Sequence, residues 1–209
     1  MPVNAPELRH AKYDSDFKWS VVEVKTNASE FWSLGTLSGR ERVRMLDASL
    51  IAEMYGLLLQ GVTDGGQPRI NRLYDTYKDA FPRQAEIEGR ILTVLALIGK
   101  LVEEDFAREP IVGPPHMLML FGAIAHVTYG LPRGQLTESE LSTPKGPLQD
   151  LRQVRENLRI INEVLEMTEP DRAWASFWAA SKSSTQRIAS RRVRFPVFVR
   201  ALGSIPLLP

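Results

Sequence analysis

Three histidines, one acidic run and one basic end are the residues of this 209-residue sequence whose types and spacing could do chemistry. His116 and His126 fall ten residues apart on one apolar segment. Two imidazoles share a metal on a helix when they are three or four residues apart, so this spacing favours packing or hydrogen-bonding roles over a metal site. His10, beside Arg9, reads as a surface residue. Glu103, Glu104 and Asp105 sit near the end of a predicted helix, where the backbone dipole disfavours negative charge. They would suit a cation or an arginine partner, but a metal needs further ligands that the sequence does not identify, and a solvated helix end is the simpler account.

The basic end carries Lys182, Arg187, Arg191, Arg192, Arg194 and Arg200 with no carboxylate among or after them. On a helix, Arg187, Arg191 and Arg194 fall at i, i+4 and i+7. That is a single stripe of guanidinium groups, with Ser183, Ser184, Thr185, Gln186 and Ser190 nearby to contact phosphate oxygens. Lys182, Arg187, Arg191, Arg192 and Arg194 are therefore the candidate DNA contacts. The competing reading pairs these arginines with acidic faces of neighbouring helices, since about four to six cations supply only modest non-specific affinity.

Other chemistry is excluded by what the sequence lacks. It has no cysteine, which removes disulfides, thiolate metal sites and cysteine nucleophiles and fits a reducing compartment. No P-loop, G-x-G-x-x-G, H-E-x-x-H or G-x-S-x-G string occurs, so no catalytic residue, metal or cofactor is expected. The hydrophobic fraction of 44%, the charged fraction of 24% and the net charge of +1 are those of an ordinary globular domain. The longest apolar runs, Leu92–Ile98 and Met117–Ile124, are far short of the roughly 20 residues that span a bilayer. The N-terminal MPVNAPELRH lacks the apolar stretch of a secretory leader, which points to a cytoplasmic location.

The elements that must position these residues read as helices throughout. Arg40–Gln60 places Val43, Leu46, Leu50, Ile51, Met54, Leu57 and Leu58 at helical spacing, and the opposite face carries Arg40, Glu41, Arg44, Asp47 and Glu53 for water or a partner. Ser38 and Glu41 form a capping-box pattern ahead of it. Further helices are predicted over about Glu7–Tyr13, Phe17–Val24, Ala28–Leu34, Pro68–Phe81, Arg83–Ala107, His116–Tyr129 and Leu148–Met167. Two more follow Pro170 and Ser184, the last continuing past Pro196, with a loosely held tail over Ser204–Pro209. The fold class is all-α, an irregular or orthogonal multi-helix bundle. It is one domain, with 1–130 and 148–203 as candidate lobes on either side of the Pro-, Gly-, Ser- and Thr-rich loop 131–147.

Several blocks are similar in order and spacing to one family. The segment Val3, Asn4, Ala5, Pro6, Glu7, Leu8, Arg9, His10, Ala11 resembles an "L-N-x-x-E-L-R-x-A" block. Arg42–Asp47, Leu57–Gly61, Leu73–Tyr77 and Phe81 resemble the helical region after it, and His116–Ile124 resembles an "H-x-L-F-x-A-I" helix. Thr185, Arg191 and Arg194 are similar to a closing "T…R…R" pattern. Together these blocks resemble the GmrSD-type restriction endonuclease N-terminal domain family, the DGQQR-motif proteins related to the ParB and sulfiredoxin fold. The D-G-Q-Q-R motif itself is missing: the nearest string is Asp64, Gly65, Gly66, Gln67, Pro68.

The resemblance implies the C-terminal helical half of such a protein, without its NTP-hydrolysing half. It implies a non-enzymatic part in prokaryotic DNA restriction or phage defence, contacting a DGQQR-bearing or nuclease subunit and DNA. Arg42, Arg44 and Asp47, which match a family block, are the candidate partner contacts. Two alternatives come from other classes: a self-contained small-molecule-binding protein with a pocket among the inner helices, and a homo-oligomeric scaffold joined through Trp174 and Trp178.

Overall fold

Short polar side chains set the first helices. In a computed structural model that describes residues 3–102 and 106–208, Asn4 accepts from the Glu7 N–H while the Glu7 carboxylate accepts from the Asn4 N–H, and this reciprocal cap opens α1 (Ala5–Lys12). Ser15 caps α2 (Asp16–Asn27), which contains the predicted helix Phe17–Val24. The short α3 (Ser29–Ser33) seats Phe31 and Trp32 in the core. The Ser38–Glu41 capping box forms as its spacing predicts, and it opens α4 (Gly39–Val43).

The predicted single helix Arg40–Gln60 is two helices. Met45 adopts φ 57°, a left-handed conformation that costs a side-chain-bearing residue about 1–2 kcal/mol. The chain turns there, and α5 (Leu46–Gln60) begins on a new axis. Propensity could not reveal this, because Arg44 and Met45 are good helix formers. The expected division of faces on α5 also fails. Asp47, Ser49 and Glu53 are buried along with the apolar residues, because α1, α2, α4, α6, α7 and α8 surround the helix.

The remaining helices are α6 (Gln67–Thr76), α7 (Gln84–Val102), α8 (Pro114–Tyr129), α9 (Leu151–Glu166), α10 (Ala175–Lys182) and α11 (Ile188–Ala201). They follow the predicted stripes: Ile87, Ile91, Val94, Leu95 and Ile98 of α7 are buried, as are Val154, Leu158, Ile161 and Leu165 of α9. α8 is buried nearly all round, from Met117 to Ala125. α11 runs through Pro196 without interruption. Among the described residues there is no strand, and the architecture is an all-α multi-helix bundle.

One hydrophobic cluster extends from Tyr13 to Leu207, and α11 lies along α8, so stretches 1–130 and 148–203 share a core. Near one end of it Phe17 packs edge-on to Tyr55, Tyr74 and Phe81, and rings in this geometry contribute about 0.5–1.5 kcal/mol per pair beyond their burial. The tail departs from expectation. Asn157, fully buried on α9, accepts from the Leu207 N–H at 2.8 Å and donates to the carbonyls of Ala201 and Ile205, so the segment is held through Leu207.

Candidate functional site

The predicted basic stripe does not form a surface. Arg191 and Arg194 are 1% and 0% exposed, because α11 turns them toward α5 and α8. Arg191 meets the Glu53 carboxylate at 3.3 Å and donates to the Thr63 carbonyl at 3.1 Å. Arg194 donates to the carbonyls of Pro115 at 2.6 Å and Thr185 at 3.1 Å, and to His116 Nδ1 at 3.1 Å. Both are interior groups, out of reach of a phosphate backbone; the competing reading of arginines paired with acidic neighbours holds for Arg191, whereas Arg194 meets backbone carbonyls and a histidine. Lys182, Arg187 and Arg192 are exposed. Arg192 donates to the Gln135 carbonyl beside exposed Arg133, around a shallow cleft that also includes Ile188. Lys182 lies over the Trp178 ring and donates to the Leu165 carbonyl.

The partner candidates also separate. Asp47 is buried, faces Lys25 at 3.8 Å and accepts from the Ala48 N–H, so it closes the start of α5 and offers nothing to a partner. Arg44 is half-buried and paired with Glu7 at 2.9 Å, which ties α4 to α1. Arg42 is exposed next to Val43, which is 80% exposed.

The histidines act as the spacing suggests. His126 bonds the Leu141 carbonyl through Nε2 and packs against Phe195. His116 accepts from Arg194 at Nδ1, which fixes its neutral form with the proton on Nε2. Burial, then the charges of Arg194 and Lys182, push its pKa down to about 3. Among the described residues no three His, Cys, Asp or Glu side chains are placed to hold a metal, and no helix is long and apolar enough to cross a membrane. Glu103, Glu104 and Asp105 lie outside the described residues.

The structure instead assembles a polar interior that the sequence hid. Glu53, 6% exposed, receives the Gly66 N–H and faces Arg69 at 3.5 Å and Arg191 at 3.3 Å, so one carboxylate ties α5 to α6 and α11. Arg69 also donates to the Gly61 carbonyl at 2.7 Å. Burial lowers the pKa of both Arg69 and Arg194 to about 10, which leaves each charged at neutral pH. Arg9, buried on α1, donates to Ser49 Oγ at 2.9 Å, to Asn71 at 3.1 Å and to the Gln67 side-chain oxygen.

Two glycines make room for this network. A Cβ on Gly65 would stand 2.0 Å from Arg191 Nη2, and one on Gly56 would stand 2.8 Å from the Arg69 guanidinium carbon. Next to the network lies a cavity of about 220 Å³ between α5, α6, α8 and the start of α11. Ser49, Glu53, Gln67, Thr185, Gln186 and Arg191 supply its polar wall. The one advance signal was two glycines before Gln67-Pro68, a pattern that reads as an ordinary loop. Comparison with protein-family models, with curated proteins and with solved structures finds no match to this chain.

Proposed function

We propose that this chain is a non-enzymatic helical module of a prokaryotic DNA-restriction or phage-defence system, and that it docks a nucleotide-hydrolysing, DGQQR-bearing polypeptide through α1 and α4. The observation that carries the reading is that α4 buries none of its residues. The helix is nevertheless held in place by a capping box, by the Arg44–Glu7 pair and by a bond from the Asn4 side chain to the Arg44 carbonyl. It also stands behind a left-handed Met45, and strain of this kind persists where the surroundings enforce it.

These contacts keep Arg40, Arg42 and Val43 facing outward on a fixed helix. On the attached α1 end, Val3 and Leu8 are 63% and 57% exposed. Val3, Leu8 and Val43 are thus exposed apolar side chains on the α1 end and on α4, with Arg40 and Arg42 near Val43, a composition that suits a protein contact. The block resemblance over Val3–Ala11 falls on α1 and its cap, and that over Arg42–Asp47 runs from the end of α4 into the start of α5. DNA contact is secondary in this reading and belongs to exposed Arg187 and Arg192, with Arg133 near Arg192, enough for weak non-specific binding.

The test is calorimetric titration of the chain with a DGQQR-bearing polypeptide of the family that its blocks resemble. Binding that Leu8→Asp and Val43→Asp each weaken at least about tenfold supports the reading. Absence of binding, or binding that both variants leave unchanged, overturns it. For the scaffold alternative, Trp174 is 6% exposed within a single chain, while half-buried Trp178, which donates to the Met167 carbonyl, keeps part of its ring at the surface.

A further inference from the structure

We propose that the cavity between α5, α6, α8 and the start of α11 is a binding site for a primary amine with an apolar body. The first observation is the charge of the wall itself. Two carboxylates, Glu41 and Glu53, and one arginine, Arg191, line it. Both oxygens of Glu53 are used: Oε1 accepts from the Gly66 N–H, and Oε2 faces Arg69 at 3.5 Å and Arg191 at 3.3 Å. Arg191 is answered by that same carboxylate and by the Thr63 carbonyl. Glu41 is therefore the one charge of the wall without an ionic partner among the described residues.

The second observation is how the Glu41 carboxylate is held. Its Oε2 accepts from the Ser38 N–H at 2.8 Å and from the Ser38 hydroxyl at 2.7 Å, which fixes the group in the capping box of α4. Oε1 accepts from none of the described residues. The Ser38 hydroxyl, then the Ser38 N–H, hold the Glu41 pKa below its ordinary value, so the group is ionised at neutral pH. Glu41 is half-buried and Gln67 is exposed, which places both where the cavity opens to solvent. A fixed, ionised carboxylate with one oxygen open, in a wall whose other charges are matched, complements a cation that carries N–H groups. The mouth leaves the remaining N–H groups of that cation to water.

The third observation is the interior. Leu37, Leu46, Leu50, Ile70, Leu118 and Met119 line the cavity with hydrocarbon, which calls for an apolar body behind the charged head. No aromatic ring is among the described residues of the wall, so the ring faces that hold quaternary ammonium groups are missing and the head is bound by hydrogen bonding. At about 30 Å³ for each water-sized group, a volume of about 220 Å³ takes roughly seven such groups. Hexylamine has that size and that division into head and body, and it serves as the probe.

The full chain is titrated at neutral pH with hexylamine, 1-hexanol, hexanoate and hexyltrimethylammonium at fixed ionic strength, with heat and melting temperature as readouts. Hexylamine is expected to bind at least about tenfold tighter than hexanol and than hexyltrimethylammonium, with hexanoate not binding. Two variants place the site. Glu41→Gln removes the charge and keeps a side chain that a capping box accepts, so it should remain folded and bind hexylamine no tighter than hexanol. Leu46→Phe, on the half-buried first residue of α5, should narrow the cavity and weaken hexylamine and hexanol alike. Should Glu41→Gln fail to fold, the ligand order in the parent chain and Leu46→Phe decide alone. Equal binding of hexylamine and hexanol, hexyltrimethylammonium as tight as hexylamine, an undiminished preference for hexylamine in folded Glu41→Gln, unchanged binding by Leu46→Phe, or no hexylamine binding to the parent chain would each overturn the proposal.

Discussion

Replacing Glu53 by Leu tests whether the buried ionic interior holds the bundle together. Leucine is close in size to glutamate, so the substitution removes charge and acceptors with little change of volume. Three groups lose a partner: the Gly66 N–H, Arg69 at 3.5 Å and Arg191 at 3.3 Å. A buried N–H left without an acceptor costs about 1–3 kcal/mol. The two guanidinium contacts are at the long end of the hydrogen-bond range, so about 1 kcal/mol each is a fair share. The total, about 4 kcal/mol, falls within the 3–5 kcal/mol seen when one partner of a buried ion pair is deleted. In a chain of this size it should lower the melting temperature by about 8–16 °C.

Urea denaturation measures the loss, with an unchanged slope showing that the same surface unfolds. In a double variant, Glu53→Leu with Arg191→Met, one stranded cation is gone, so the combined loss should be smaller than the sum of the single losses. A loss for Glu53→Leu below about 1 kcal/mol, or strict additivity in the double variant, would refute the assignment of Glu53 as the common counter-charge.

Other expectations follow from single residues. His116 resists protonation down to about 3 when folded, against about 6.5 in the unfolded chain. Between those values the unfolded state binds the extra proton, so stability is complete above 6.5 and falls toward pH 3, on the order of 1 kcal/mol per pH unit. His116→Gln should flatten the dependence of urea midpoints between pH 7 and 4.5, and an unaltered slope would mean that groups other than His116 set it. Gly56→Ala gains about 1 kcal/mol of helix propensity but displaces the Arg69 guanidinium from the Gly61 carbonyl, a charged bond of about 1.5–3 kcal/mol. A net destabilisation is expected in thermal melts, and a stabilised variant would show that Arg69 has room to move. Asn157→Leu should cost about 3 kcal/mol and raise amide exchange across residues 203–208, where retained protection would mean that the tail is held by other contacts.

The helices were largely legible because most are written in strong periodicity with caps: Asn4 with Glu7, Ser38 with Glu41, the stripes of α7 and α9. What stayed hidden has a common physical reason. Sequence patterning assigns charged residues to water, and here the long-range partners of Glu53, Arg69, Arg191 and Arg194 reverse that rule. Arg191 looked like one member of a surface stripe because its spacing to Arg187 and Arg194 is helical. The spacing is real, but which side of α11 faces α8 is decided by Phe195, Phe198 and Val199, all fully buried. The break at Met45 was equally invisible, since a left-handed residue is usually advertised by glycine or asparagine and here is not. The cavity depends on where four helices end relative to each other, which no local signal records.

The bond between Glu53 and Arg191 joins residues 138 positions apart. During synthesis α5 and α6 are complete long before α11 exists, so the Glu53 carboxylate can meet Arg69 early while Arg191 is still unmade. The helix α5 cannot settle into its final electrostatic environment until the chain has been released through α11. A nascent chain halted in the loop around residue 140 would leave an interior carboxylate half-compensated and the apolar flank of α8 uncovered. Closure of the interior around Glu53 therefore waits for α11.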